Sequence, residues 1–374
     1  MKIACIILAS GKSKRFGLSG SKLFYKVYGL PIIQFTLKNI SKHIDKKSIY
    51  ITIPKKITKN EKNILLKYTS NELIYGGKTR FQSLVNAVNS INALDYNFLM
   101  VHDAARPITP KKMIIEMLSN MKSGKYDCSL PRSTVEDTLR KNLTTVNRND
   151  FTTYQTPQIF KLQLFKNHIN KIKSNPSDDF GVIENKKNKV KFVESSKQNI
   201  KITKSSDVKI FKKIISSNIK FGNGFDIHKL KKGSLLKLAG IDIASKFTSI
   251  GHSDGDVVLH SIIDALLGAS GKGDIGTYFP PLSKYKNISS IELLNSIKKV
   301  ISFKNICIDN LDCTVICQKI RLEKYKILIA KNIAKLLEIN INRVNVKAKT
   351  TDNIGLIGKS KAIACWTTIA IIKL

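Results

Sequence analysis

Two histidines and an aspartate near the middle of the chain have the residue types of a metal site. Asp226 and His228 are two residues apart, so on a strand their side chains share one face. His260 falls in an apolar stretch that continues to Leu267 and predicts a helix. Two imidazole nitrogens and one carboxylate oxygen form the ligand set of a catalytic zinc site with one open position. Two hydrogen-bonded core histidines are the alternative, but the Asp and Gly residues crowded around both segments argue against it.

A second set of residues, near the amino terminus, is suited to phosphate chemistry. Ser10 and Gly11 follow an apolar run, and Arg15 and Lys22 come shortly afterwards. A loop of small residues lets backbone N–H groups approach phosphates, and the cations supply the countercharge. Asp103, at the end of another apolar run, is suited to holding Mg²⁺. A solvated basic turn is the alternative interpretation of the loop.

Alternating patterns predict the elements that position this second set. Strand-like and helix-like runs follow one another, which indicates an α/β domain with a mostly parallel sheet. The predicted strands are Ile3–Leu8, Ile49–Ile53 and Phe98–Val101, and the predicted helices are Ile32–Ile40, Phe81–Ile91 and Met113–Met121.

The chain is long enough for two domains, and a junction is predicted near residue 218. A lysine-rich, helix-like run covers Asp207–Lys220 and ends the first pattern. The predicted division is a first domain at 1–212, a linker at 213–219 and a second domain at 220–374.

Composition limits the classes of partner. The 374 residues include 64 Lys and Arg against 27 Asp and Glu, a net charge of +37. The lysines are spread along the chain without a basic block or interleaved aromatics, so we expect a solvated basic surface and no nucleic-acid partner. Phosphorylated substrates suit this charge.

The cysteines and apolar runs predict a cytoplasmic protein. None of the six cysteines forms a CxxC pair, and most lie in apolar runs, which is typical of a reducing compartment. The amino-terminal apolar run is short and is followed at once by basic residues, unlike an export signal. No run approaches the length of a membrane span.

Residues 220–374 resemble the 2-C-methyl-D-erythritol 2,4-cyclodiphosphate synthase family, through GFDIH, GHSDGDVVLHSIIDALLG, GKGDIG, VNVKAKTTDNIG and IACW. The resemblance implies an α+β domain of the trimeric type. It implies that Asp226, His228 and His260 bind Zn²⁺. Asp264 is four residues after His260 and so lies on the same helix face, where it either orients a ligand or is a surface charge. The other implied roles are diphosphate contacts for His252, Ser253 and Arg321, erythritol contacts for Asp274, and cytidine diphosphate and Mg²⁺ contacts for Lys349, Thr350, Thr351 and Asp352.

Residues 1–212 resemble the 2-C-methyl-D-erythritol 4-phosphate cytidylyltransferase family, through LASGKSKRFG, GGKTRFQSL, VHDAARP, VEDTLR, VNRNDFTTYQTPQIF and NIKIT. The resemblance implies a Rossmann-like nucleotidyltransferase sheet, dimers of this domain and Mg²⁺ at Asp103. The implied roles are cytidine nucleotide contacts for Ser10, Gly11 and Ser83, triphosphate contacts for Arg15, Lys22 and Lys201, and methylerythritol phosphate contacts for Thr138, Arg148 and Thr156.

The chain departs from these families at a few positions. Ser13 stands where the first family's loop usually has glycine, which puts the geometry of that loop in question. Pro281–Ser283 replaces a segment that commonly carries aspartates, and Lys359–Lys361 replaces Arg-x-Glu. Arg321 stands where a phosphate-binding lysine is usual and keeps the charge.

Together the resemblances imply a bifunctional enzyme of the non-mevalonate isoprenoid pathway, acting on CTP and methylerythritol phosphate. A kinase must act between the two steps, and because the chain has no P-loop we expect that kinase to be a separate protein. The alternatives are a nucleotidyltransferase for another polyol phosphate with a metal-binding second domain, and a basic nucleic-acid-binding protein.

Overall fold

The chain divides into two compact units, Met1–Ile214 and Ile215–Leu374. The computed structural model describes residues 1–17, 20–172, 175–251, 253–280 and 288–373. Among these residues no helix combines the length and the apolar character needed to cross a membrane.

The first unit alternates strands and helices. Its strands are β1 Ile3–Leu8, β2 Lys26–Val27, β3 Leu30–Pro31, β4 Ile49–Ile53, β5 Ile74–Tyr75, β6 Phe98–Asp103, β7 Cys128–Thr134, β8 Leu139–Lys141, β9 Thr144–Val146, β10 Thr152–Tyr154, β11 Gln158–Lys161 and β12 Val190–Glu194. Its helices are α1 Ile32–Ile40, α2 Lys59–Leu66, α3 Arg80–Asn89, α4 Lys111–Lys122, α5 Leu162–Ile169 and α6 Ser205–Ser216, the last of which crosses the boundary between the units.

The main sheet of this unit has the order β10-β7-β11-β6-β1-β4-β5, and β12 pairs with β7. Only β10 and β11 among these strands run against the rest, so the predicted mostly parallel sheet is confirmed. Apolar clusters cover both faces of the sheet, which is why β1 and β4 are apolar at nearly every position. The carboxyl ends of β1, β4, β5 and β6 meet at one edge of the sheet.

The predicted elements are confirmed with small differences at their ends. Helix α3 begins at Arg80 rather than Phe81, because the Thr79 hydroxyl accepts a hydrogen bond from the Gln82 N–H at 3.0 Å and caps the helix. Strand β6 continues to Asp103, because His102 and Asp103 keep pairing with β1.

The second unit is a sheet with helices packed on one face. Its strands are β13 Ile219–Lys232, β14 Leu235–Leu238, β15 Ile241–Ala244, β16 Phe247–Ile250, β17 Ile306–Ile316, β18 Val344–Lys349 and β19 Ala362–Lys373. Its helices are α7 Val257–Ser270, α8 Ile275–Tyr278, α9 Ser290–Val300, α10 Lys326–Leu336 and α11 Gly355–Gly358. The sheet order is β16-β13-β19-β17-β18, with only β17 and β18 parallel, which confirms the α+β domain.

The helix-like run predicted for Asp207–Lys220 is too long at its end. Helix α6 stops at Ser216, and β13 begins at Ile219 because Ile219 and Lys220 pair with β19. Most of the proposed linker, residues 213–219, therefore lies inside regular elements.

Helix α7 lies unusually close to β13 because two glycines of the strand face it. A Cβ atom on Gly222 would lie 2.0 Å from the Ala265 carbonyl oxygen, and one on Gly224 would lie 1.9 Å from that of Ser261. The helix is buried along most of its length and is capped by Asp256, whose carboxylate accepts hydrogen bonds from the N–H groups of its first turn.

We expect the substitution Gly224→Ala to lower the free energy of unfolding of the second unit by about 1–3 kcal/mol, because an overpacked backbone contact must open. Gly268→Ala, on the facing helix α7, is the matched control, since its Cβ would lie 3.7 Å from the nearest atom and alanine favours a helix. Scanning calorimetry measures both variants. Equal transition temperatures for the two would contradict this account of the close approach.

Candidate functional site

A cavity of about 440 Å³ opens at the carboxyl ends of β1 and β6. It is lined by the loop after β1, by the segment that joins β5 to α3, and by the residues before α6. It brings together seven of the predicted residues: Ser10, Gly11, Arg15, Lys22, Ser83, Asp103 and Lys201.

The cavity is strongly cationic. Its lining includes one acid, Asp103, among the residues that the structure describes. The cations of the lining are Lys12, Lys14, Arg15, Lys22, Lys78, Arg80 and Lys201. Walls of one sign attract a ligand of the other, so this cavity suits a polyphosphate.

Ser13 adopts the backbone conformation that favours glycine. Its φ angle is +53°, in the left-handed region, which costs a residue with a side chain about 1–2 kcal/mol. Its hydroxyl accepts a hydrogen bond from the Lys22 N–H at 3.2 Å, a contact that glycine would lack. The loop therefore keeps the glycine-like geometry that the sequence put in question.

Asp103 is buried, and both of its carboxylate oxygens contact cations. Oδ1 accepts from Arg80 Nε at 3.0 Å, and Oδ2 lies 2.6 Å from Lys201 Nζ. Burial alone would raise the pKa of Asp103, but the charges of Arg80 and Lys201 outweigh it and hold the pKa well below its usual range. Asp103 is thus a carboxylate at neutral pH.

Lys22 is half-buried between the loop and the irregular segment that precedes α6. Its Nζ donates a hydrogen bond to the Ile202 carbonyl at 2.9 Å. Burial, and secondarily the charge of Lys201, lower the pKa of Lys22. An anionic ligand beside these two ammonium groups would relieve their repulsion.

Sequence reasoning missed the ion pair between Arg80 and Asp179. Asp179 is fully buried, and its oxygens accept from both terminal nitrogens of Arg80, at 2.5 and 2.8 Å. Arg80 therefore joins Asp103 to Asp179 and is held in place by both. The two partners are 99 residues apart, so no local pattern links them; the only signal is the arginine in GGKTR.

Thr138, Arg148 and Thr156 do not line this cavity. Thr138 is exposed before β8, and Arg148 donates to the Glu136 carbonyl. Thr156 is buried behind Asp103, where its hydroxyl accepts from the Asp103 N–H at 3.0 Å.

His102 lies beside Thr156 and is also buried. Its Nδ1 lies 3.2 Å from the Thr156 hydroxyl. Burial lowers the pKa of His102 to about 4, so the ring is neutral at pH 7. His102 and Thr156, both uncharged, thus hold the end of β6 through hydrogen bonds.

A second cavity, of about 700 Å³, lies at the carboxyl ends of β7 and β12. Because these strands run parallel to β6, it opens at the same edge of the sheet as the first cavity. Its polar lining includes Arg132, Glu136, Gln155 and Lys197.

The second unit brings Asp226, His228 and His260 together as predicted. Asp226 Oδ2 lies 2.8 Å from His228 Nε2 and 3.0 Å from His260 Nδ1, and the two ring nitrogens are 3.1 Å apart. All candidate ligand atoms lie within 4.8 Å of one another. One oxygen and two nitrogens converging in this way fit a divalent metal ion.

The charges of these three groups are coupled. Burial raises the pKa of Asp226, but hydrogen bonds to His228 and His260 outweigh it and lower the pKa well below its usual range. Burial lowers the pKa of His228, and the Asp226 carboxylate more than compensates, so this pKa is raised. The site therefore attracts positive charge, either protons or a metal ion.

The histidines also have partners on their far sides. His228 hydrogen-bonds to the backbone of Ile250. His260 Nε2 lies 3.0 Å from the hydroxyls of both Ser253 and Ser290.

The two other predicted aspartates of this region have local partners. Asp264, half-buried, accepts from the Ile275 N–H at 2.8 Å rather than contacting His260, so it fixes the start of α8. Asp274 is exposed and caps α8 by accepting from the Thr277 N–H at 2.9 Å.

The segment Lys349–Asp352 lies at the end of β18. Thr350 donates to Asp352 at 3.4 Å, and the Thr351 N–H donates to Gln318 at 3.2 Å, which joins it to the loop that carries Arg321. Strand register sets Lys349 level with Ile227, three strand spacings or roughly 14 Å away. One copy of the chain thus keeps this segment apart from the three metal-ligand candidates.

Some predicted residues lie outside the described residues. They are His252 and the departure at Pro281–Ser283. The departure at Lys359–Lys361 follows α11, where the Lys361 N–H donates to the Leu356 carbonyl at 2.9 Å.

The two units match two protein families. Residues 3–217 match the 2-C-methyl-D-erythritol 4-phosphate cytidylyltransferase family, and residues 219–372 match the YgbB family. A bifunctional enzyme IspD/IspF from Pelagibacter ubique is 37% identical over 100% of both chains. Another from Campylobacter fetus is 34% identical, over 97% of this chain and 95% of that protein. A solved structure of the bifunctional IspDF from Campylobacter jejuni is 32% identical, covers 100% of this chain and 99% of that one, and has a TM-score of 0.49.

A nucleotidyltransferase sheet with a cationic cavity, followed by a unit with a cluster of two histidines and an aspartate, defines an enzyme with two separate sites. The chain belongs to the bifunctional IspD/IspF family. It is a cytidylyltransferase and a cyclodiphosphate synthase of the methylerythritol phosphate route to isoprenoid precursors.

We expect Arg80→Met to lower the free energy of unfolding of the first unit by about 3–5 kcal/mol, because it leaves Asp179 as a buried carboxylate without a countercharge. Adding Asp179→Asn should recover part of the loss, since an amide needs no countercharge. Denaturant titration measures both.

Lys78→Met is the matched control for this prediction. Lys78 is an exposed cation of the same cavity, so its loss should change stability little. Equal free energies of unfolding for Arg80→Met and Lys78→Met would mean that the ion pair with Asp179 does not stabilise the fold.

Proposed function

We propose that each activity is carried by one of the two units, with cytidylyl transfer in residues 1–212 and cyclisation in residues 220–374. The observation that carries this proposal is the presence of two chemically different sites. One is a cationic cavity whose described lining contains one acid, and the other is a cluster of two histidines and an aspartate.

In the transferase site, a phosphate oxygen of methylerythritol phosphate attacks the α-phosphorus of CTP and pyrophosphate leaves. Negative charge spreads over the phosphoryl oxygens in the transition state, and fixed cations stabilise it. Arg15, Lys22 and Lys201 are the proposed cations because they line one cavity. Ser10, Gly11 and Ser83 would hold the cytidine nucleotide: the Ser10 hydroxyl donates to that of Ser83 at 2.9 Å, so the two side chains are fixed together.

Asp103 is the proposed holder of Mg²⁺, whose role would be to neutralise phosphate charge. The residue fits because it is a carboxylate at neutral pH and one oxygen, Oδ1, is fixed by Arg80. The other oxygen, Oδ2, is paired with Lys201. Phosphate would compete for Lys201, which would free Oδ2 for a cation.

The second cavity is the proposed site of methylerythritol phosphate. It adjoins the segment that carries Thr138 and Arg148, and Glu136 belongs to both. Thr156 is next to Gln155 of its lining, but its burial suits a supporting contact to the backbone of Asp103 better than direct contact with substrate.

In the cyclase site, a 2-phosphate oxygen of the substrate attacks the β-phosphorus and CMP leaves. We assign the metal as Zn²⁺ from the donor set of Asp226, His228 and His260; it would hold and polarise the phosphate oxygens. The roles implied for His252 and Asp274 stay predictions.

For the leaving nucleotide, Lys349, Thr350, Thr351 and Arg321 would bind phosphate and cytidine. Asp352 would hold a second metal, Mg²⁺. These assignments rest on the family resemblance and on the hydrogen bond that joins their two loops.

A trimer of this unit would complete the cyclase site. The face of the sheet turned away from α7 exposes Phe221, Phe225, Ile227 and Trp366, with Phe221 70% and Trp366 52% exposed. An apolar patch of this kind marks a contact surface. Because one copy separates Lys349 from the metal-ligand candidates, a neighbouring copy would supply its segment.

Dimers of the transferase unit and a separate kinase for the intervening step are also proposed. The kinase follows from chemistry, since the transferase product lacks the 2-phosphate that the cyclase needs. The cytoplasmic location predicted from the cysteines stays a prediction.

We expect Lys22→Ala to reduce cytidylyl transfer by about 100-fold or more, because it removes a cation from the transition state. Cyclisation should be unchanged, since its site lies in the other unit. Release of pyrophosphate and of CMP measures the two activities. Lys26→Ala, at a neighbouring exposed lysine, should keep both; loss of both activities in a folded Lys22→Ala protein would refute the separation.

Removal of a metal ligand should have the opposite pattern. His228→Ala should release zinc and abolish cyclisation, because the open site needs its full ligand set. Transfer with CTP and Mg²⁺ should persist. Elemental analysis measures the zinc, and His168→Ala, at an exposed histidine, is the control. Stoichiometric zinc in the His228→Ala protein would disprove the ligand assignment.

A further inference from the structure

The ring of His260 is contacted on both sides, and the two sides differ in chemistry. Nδ1 faces the metal-ligand cluster, 3.0 Å from Asp226 and 3.1 Å from His228. Nε2 faces away from it, 3.0 Å from the Ser253 hydroxyl and 3.0 Å from the Ser290 hydroxyl. If Nδ1 is to bind a metal, it must be unprotonated, and Nε2 must carry the ring's proton and donate it to a partner.

Ser290 is built to be that partner. It is fully buried at the first turn of α9. Its hydroxyl donates to Asp254 Oδ1, and its backbone N–H donates to Asp254 Oδ2 at 3.1 Å. With its own proton committed to a carboxylate, the Ser290 oxygen can only accept from His260 Nε2–H.

Ser253 lacks this constraint. Its oxygen accepts from the Gly255 N–H at 3.4 Å, a long contact, and the described contacts of Ser253 include no carboxylate. Its hydroxyl can therefore either donate to the His260 ring or accept from it, and it imposes neither state.

We infer that Ser290, held by Asp254, is a positioning residue that fixes His260 in the tautomer whose Nδ1 is free to bind the metal. Asp254, Ser290 and His260 then form a chain in which a carboxylate orients a hydroxyl, the hydroxyl orients a ring, and the ring presents a ligand atom. Such outer partners of metal-bound histidines also raise the basicity of the ligand. This inference rests on the proposed metal site.

These hydrogen bonds from Asp254 through Ser290 to His260 also link the geometry of the site to the start of α9. Asp254 lies in the loop before α7, its N–H donates to the Ile288 carbonyl at 3.3 Å, and its carboxylate binds the first residue of α9. Because His260 is on α7, a displacement of α9 would release the proton acceptor of His260. The inferred role of Ser290 is thus both to set the tautomer and to couple two helices to one ligand.

The test is the Zn²⁺ affinity of the full-length protein, measured by competition with a chromophoric chelator after removal of metal. Ser290→Ala should weaken Zn²⁺ binding by about 10–100-fold, as loss of an outer partner does. Asp254→Asn should also weaken it, because an amide has one acceptor atom where Ser290 needs two. Ser253→Ala is the matched control: it removes the other hydroxyl at the same distance from Nε2 and should leave the Zn²⁺ affinity unchanged.

Two further measurements separate the possible failures. The thermal midpoint of the metal-free Ser290→Ala protein should stay near that of the parent chain; a large fall without loss of Zn²⁺ affinity would mean that Ser290 is merely structural and would overturn the inference. A loss of affinity in Ser253→Ala but not in Ser290→Ala would overturn it as well. His228→Ala is included in the same titration: if that variant also bound Zn²⁺ normally, the proposed metal site itself, rather than the role of Ser290, would be wrong.

Discussion

The close approach of α7 to β13 is the constraint on which the second unit depends. Gly222 and Gly224 remove the side chains that would otherwise hold the helix away from the strand. Only at this short separation can His260, on the helix, reach Asp226 and His228, two and four residues further along the strand than Gly224. The packing set by the glycines is therefore a condition for the arrangement of the metal-ligand triad. The aromatic face on the other side of the sheet stays exposed and is available for contacts with other molecules.

The first unit meets a different physical requirement, which is to hold many cations close together without a ligand. It does so with two buried aspartates joined by Arg80, and with a lysine, Lys22, whose ammonium group donates to a backbone carbonyl. Ser13 has a strained backbone conformation in the loop after β1, which lines the cavity. The contacts that hold these charged side chains in place join residues that are far apart in the sequence.

The sequence predicts local features well and long-range pairings poorly. The helix bearing His260 follows from the apolar pattern of nearby residues, and so do β1 and β4, because each is apolar at nearly every position. The bond between Arg80 and Asp179, the burial of Thr156 and the contact of Ser290 with Asp254 depend on how distant segments meet. The periodicity of the sequence does not predict such long-range contacts. For Asp264 it offered two interpretations, a residue that orients a ligand and a surface charge. In the structure Asp264 instead accepts a hydrogen bond from the Ile275 backbone.

The ion pair between Lys201 and Asp103 has a consequence for how a nucleotide would bind and how pyrophosphate would leave. The lysine has an anionic neighbour at 2.6 Å within the protein, so its charge is partly neutralised there. A nucleotide that bound Lys201, as proposed, would replace one counterion of the lysine with another instead of meeting an unpaired charge. This exchange would make the nucleotide affinity less dependent on dissolved salt than seven cations would suggest. It would also ease departure of the pyrophosphate, since the Asp103 carboxylate could pair with Lys201 again.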